Sequence, residues 1–85
     1  MTVSEVMKYY KDKYLGMSRR PGKFHICPSV AINPRIGTDY TNEVGYSSSA
    51  PKLLADVEVT KHYVEGDTIC IVYKNTEELQ AQMFN

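Results

Sequence analysis

Tryptophan is absent from this 85-residue chain, and cysteine occurs only twice. Five glycines and four prolines are too few for a collagen-like or low-complexity chain. Two cysteines allow one disulfide at most, which excludes a disulfide-stapled miniature fold. No apolar run approaches the roughly 18 residues that a membrane-spanning helix needs. Glu5, Lys8, Lys11 and Asp12 interrupt the first fifteen residues, so a secretory leader is not expected and a cytoplasmic setting is. Gly-rich phosphate loops of the Walker or dinucleotide type are missing, and Ser47–Ser49 lack a His/Asp pattern nearby. No catalytic residue and no cofactor are therefore expected.

What is present fits one small globular domain over residues 1–85, with 42% hydrophobic and 24% charged residues. Net charge is zero but unevenly spread. Residues 1–37 hold seven basic and two acidic side chains, and residues 38–85 hold three and eight. Such a chain either pairs its halves on folding or displays a basic and an acidic face.

The expected fold class is α+β, an N-terminal amphipathic helix on a three- to four-stranded antiparallel sheet with a short C-terminal helix. A small open barrel is the variant. Thr2 and Glu5 have capping-box spacing, and Val3, Val6, Met7, Tyr10, Tyr14 and Met17 form one helical stripe ended by Gly16. Tyr9 projects off that stripe. Residues 24–32 alternate as a strand with Phe24, Ile26, Val30 and Ile32 on one face. Pro28, which lacks an N–H, marks it as an edge or bulged strand. Residues 33–51 suggest a short strand at 43–47 or a loop presenting Tyr40 and Tyr46. Residues 52–64 read as the strongest strand, with Leu53, Ala55, Val57, Val59 and Tyr63 on one face. A Glu65-Gly66-Asp67 turn then sets Tyr63 against Ile69 and Val59 against Tyr73, with a Glu58–Lys74 ion pair opposite. Asn75 and Glu78 repeat the capping logic before a short helix anchored by Leu79 and Met83.

Three groupings could carry chemistry. His25, Cys27, His62 and Cys70 fall on polar strand faces and offer donors of the kind zinc takes. They lack the short Cys/His spacings of structural sites, so no metal is expected. Asp56, Glu58 and His62 share a strand face, with carboxylates two residues apart separated by about 7 Å, yet solvated strand faces commonly look like this. The basic segment 8–23, with Tyr9 and Tyr14 nearby, could track a phosphate backbone.

Seven tyrosines in so short a chain favour protein contacts, because Tyr and Arg combine large contact area with hydrogen bonding. The candidate binding residues are Tyr9, Arg19, Arg20, Lys23, Arg35, Tyr40 and Tyr46. The sequence suggests a small non-enzymatic regulator or inhibitor that grips a larger macromolecule. In size and style it is comparable to phage or mobile-element proteins that antagonise host machinery. A protein partner is expected, and no membrane; residues 24–32 offer an edge for a homodimer. The alternatives are a nucleic-acid-binding domain using residues 8–23, or an oligomer that sequesters a small anionic ligand with Arg19, Arg20 and Tyr9.

Overall fold

The computed structural model describes residues 1–30 and 42–83. Arg35, Tyr40 and residues 31–32 of the expected strand lie outside the described residues. The order of elements is α1 (Val3–Lys13), β1 (Lys23–Pro28), β2 (Asn42–Gly45), β3 (Val59–Glu65), β4 (Thr68–Tyr73) and α2 (Glu77–Met83). This is the α+β class that the hydrophobic patterning implies.

Helix α1 starts where the capping box places it. Thr2 Oγ1 accepts from the Glu5 N–H, while Glu5 Oε1 accepts from the Thr2 N–H. The remaining unpaired N–H groups of the first turn, on Val3 and Ser4, donate to the carbonyls of Val57 and Ala55. Every backbone donor of the first turn is thus satisfied. Those two bonds also explain residues 51–57, which run as successive turns and not as the first half of a long strand. The turns bury Leu54 completely and leave Leu53 48% exposed, reversing the expected faces. The strand proper begins only at Val59. At the other end of α1, Gly16 takes φ +78° and turns the chain away, so Met17 leaves the stripe and is exposed.

The sheet has four strands in the order β2-β1-β4-β3. It is mixed: β1 pairs antiparallel with β2 but parallel with β4, and β3 pairs antiparallel with β4. Two hairpins therefore lie side by side, joined along a parallel seam. β1 is an interior strand, which corrects the edge-strand expectation and removes residues 24–28 as a dimer edge. Pro28 is tolerated because it is the last residue of β1, where little of the ladder follows. Val30 lies beyond the strand and is exposed. The other interior position belongs to β4, whose Ile69-Cys70-Ile71-Val72-Tyr73 run is buried on both faces, as parallel pairing favours.

The β3–β4 register also differs from expectation. Gly66, at φ +60°, and Asp67 form a two-residue turn that follows the strand twist, and Glu65 becomes part of β3. Tyr63 then faces Cys70, and Val64 faces Ile69. The one-residue shift carries Tyr63 to the outer face and brings His62 and Val64 to the helix side. A bulge between Val59 and Lys61 absorbs the shift, so Val59 still pairs with Tyr73. The Thr60 hydroxyl donates to the Val72 carbonyl at the bulge. The Glu58 carboxylate binds the Met1 amino group at 2.7 Å, not Lys74, whose N–H instead takes the Glu58 carbonyl.

Val3, Val6, Met7 and Tyr10 of α1 pack on Phe24, Ile26, Ile69, Ile71 and Tyr73, with Leu54 and Leu79 closing the ends. Each aliphatic or Phe side chain buried this way contributes roughly 1.5–3 kcal/mol over exposure. Thr76, not Asn75, caps α2, accepting from the Leu79 N–H. Asn75 is buried instead, its Nδ2 donating to the Val30 carbonyl and to Gln80 Oε1. Among the described residues, no helix is long and apolar enough to cross a membrane.

Candidate functional site

The segment leaving α1 carries two consecutive arginines, and the fold fixes its backbone at both ends. Tyr14 caps the helix by donating its N–H to the Tyr10 carbonyl, and Met17 N–H returns to the Tyr14 carbonyl. Pro21 is buried. The Gly22 N–H reaches both the carbonyl and the Oδ1 of Asp67 at 2.9 Å, and the Gly22 carbonyl accepts from the Tyr46 N–H. A Cβ at position 22 would meet Asp67 Oδ2 at 2.6 Å, so only glycine lets the chain approach the β3–β4 turn this closely.

Arg20 sits on an ordered platform. Its guanidinium carbon is 4.9 Å from the centre of the Tyr46 ring, within cation–π range. Tyr46 in turn stacks on buried Phe24, with ring centres 5.7 Å apart and planes 9° from parallel. The Tyr46 hydroxyl donates to the Tyr10 carbonyl, fixing the ring against the helix. Two shallow clefts flank this stack. One, of about 350 Å³, lies between Arg19, Arg20, Tyr14, Val64 and Asp67. The other, of about 230 Å³, lies between Arg20, Tyr14, Lys11, Leu15 and Tyr46. Arg20 and Tyr14 form the wall common to both. Neither arginine makes an ion pair among the described residues.

The expected binding residues separate accordingly. Arg19, Arg20 and Tyr46 come together. Tyr9 is exposed on α1 but lines neither cleft; it packs edge-on to Tyr10 at 5.1 Å and lies 5.9 Å from the His62 ring. Lys23 points to the opposite side of the sheet, 3.5 Å from Glu43, because β1 alternates Phe24 and Ile26 inward with Lys23, His25 and Cys27 outward. Tyr14, read from the sequence as a core residue and as an aromatic neighbour of the basic segment, packs against the core and also lines both clefts. Its place as the last stripe position before Gly16, where a helix runs out of sheet to cover, is the signal that marks it.

The possible metal set does not assemble. His25, Cys27 and Cys70 share the outer face of the sheet, but His62 is opposite Ile71 and turns toward α1, where Nδ1 bonds the Tyr10 hydroxyl. No three His, Cys, Asp or Glu side chains among the described residues are grouped to hold a metal ion. On the outer face His25 Nδ1 lies 3.2 Å from Glu43, and this bond, with the Lys23 charge, holds the Glu43 carboxyl below its ordinary pKa. A hydrogen bond to Cys70 pushes the Tyr63 phenol up. The acid/base grouping is dispersed as well. Asp56 lies in the turns, Glu58 holds the Met1 amino group, and His62 holds Tyr10.

The chain matches no family model, no curated protein and no solved structure.

Proposed function

We propose that this protein is a non-enzymatic binding protein that docks an acidic segment of a larger protein on the Arg19–Arg20 shoulder and so regulates or inhibits it. The observation that carries this reading is the Arg20 guanidinium placed over the Tyr46 ring of the Tyr46–Phe24 stack, beside Arg19 and between two clefts. A guanidinium already ordered on an aromatic ring presents its donor fork to a carboxylate with little loss of side-chain freedom on binding. Both clefts are shallow and at or near the lower end of the size range for enclosed small-molecule sites, which suits side chains of a protein surface better than a sequestered ligand.

Nucleic acid is the weaker alternative because much of the basic run is committed within the fold. Lys11 donates to the Ser48 carbonyl, Lys13 lies 5.9 Å from the rings of Tyr9, Tyr10 and Tyr14, and Lys23 faces Glu43. Of the six cations in residues 8–23, that leaves Lys8, Arg19 and Arg20 to meet a phosphate backbone.

The test compares affinity capture from the native host by the wild-type chain and by the R19E/R20E variant, with retention on an immobilised polyanion measured in parallel. Loss of a captured protein in the variant, without wild-type retention on the polyanion, supports the reading. An unchanged set of captured proteins ends it, and strong salt-dependent polyanion retention transfers the site to nucleic acid.

A further inference from the structure

β3 forms one edge of the described sheet, and its residues from Thr60 to Glu65 are exposed. Among the described residues, the chain covers only its beginning, where Val59 N–H donates to the Met1 carbonyl. In a two-residue hairpin the residues flanking the turn exchange main-chain bonds, and the pattern then alternates. Glu65, Tyr63 and Lys61 therefore direct their backbone groups at β4. His62 and Val64 direct theirs outward, with no strand on that side among the described residues.

From this edge we infer that two copies of the chain pair antiparallel along β3, about a two-fold axis at Tyr63, into one continuous sheet. The inference rests on charge and register together. About that axis His62 pairs with Val64 of the second copy, and both residues have outward-facing N–H and C=O groups to exchange. Lys61 falls opposite Glu65 of the second copy, and Glu65 opposite its Lys61, on one face of the sheet. Tyr63, 43% exposed, meets Tyr63 of the second copy at the close, non-hydrogen-bonded position.

Other registers lose these terms. An axis at Lys61 sets lysine against lysine. An axis at His62 sets Lys61 against Tyr63 and Glu65 against Val59, so neither lysine meets a glutamate. An axis at Val64 sets Tyr63 against Glu65 and runs His62 into the Gly66 turn. A lysine on an edge strand normally discourages pairing. Here Glu65, four residues further along the same face, removes the repulsion in one register only.

Sedimentation of the full chain over a range of concentrations at low ionic strength tests this. The wild type forms a concentration-dependent dimer. K61E and E65K each place like charges opposite one another twice in the dimer and weaken it on the order of ten-fold or more. Mixing the two single variants in equal amounts restores association, because each reversed charge then faces its opposite. The double variant K61E/E65K dimerises like the wild type. A wild-type chain that stays monomeric throughout, or a dimer indifferent to both single reversals, overturns the inference.

Discussion

The hydroxyl of Tyr10 lies 2.6 Å from Nδ1 of His62, and the two rings meet edge-on with centres 5.3 Å apart. This contact ties the buried face of α1 to an edge strand whose other residues are mostly solvated. It also accounts for His62 facing the helix, since the shifted hairpin register aims it there.

Replacing Tyr10 with Phe keeps the ring and removes the bond, so we expect a loss of about 1 kcal/mol in denaturant unfolding. Burial holds the Tyr10 phenol above the ordinary tyrosine value of about 10. A raised acid is neutral in the folded chain while the unfolded chain ionises. The associated stability is complete below pH 10 and declines as pH rises from there toward the folded value. Unfolding of Y10F should accordingly show a shallower alkaline limb than the wild type.

Leu54 and its neighbour Leu53 should behave oppositely. L54A empties a fully buried position and costs about 2–5 kcal/mol, a large part of the 5–15 kcal/mol typical of a domain. L53A should stay within about 0.5 kcal/mol. Thermal melts of the pair check this directly, and equal losses would contradict the turn geometry at residues 51–57.

Glu43 is predicted to titrate below the ordinary carboxylate value of 4.5 because it accepts from His25 and faces Lys23. A depressed carboxyl contributes stability that is present above that value and lost as pH falls through the depressed one. Following the Glu43 side-chain carbon by NMR, the midpoint should rise in H25A. No movement would mean that the bond does not persist in solution.

Gly66 takes a backbone conformation that a Cβ disfavours by roughly 1–2 kcal/mol. G66A should destabilise by about that amount although open space surrounds the position. G22A should act differently, by displacing the Asp67 carboxylate and disturbing the cleft it shares with Arg19 and Arg20. Comparing the two variants in unfolding and in capture of a partner separates backbone strain from damage to the site.

Much of the fold was legible from residues that act locally. Thr2 and Glu5 announce the helix start, Gly16 its end, and Leu79 with Met83 the inward side of α2. What escaped depends on non-local competition. Pro28 looks like an edge marker until β1 is seen to end there, and the continuously apolar Ile69–Tyr73 run was the better guide to the centre of the sheet. The hairpin shift hinged on whether Glu65 joined the turn or the strand, a choice the Gly66 conformation decides. Of the binding surface, the paired arginines and Tyr46 were visible as residue types. Tyr14 was visible as a core residue near the basic segment, but helical spacing does not show that it also walls both clefts.

The parallel seam between β1 and β4 has a bearing on how the chain acquires its structure. The strand that completes the middle of the sheet is the last strand in sequence, so β1 must wait for a mate some forty-five residues downstream, and loops of that span close slowly. Assembly on the ribosome can finish only after residue 73 has emerged, and truncation into β4 should abolish the tertiary structure at one stroke instead of peeling it away.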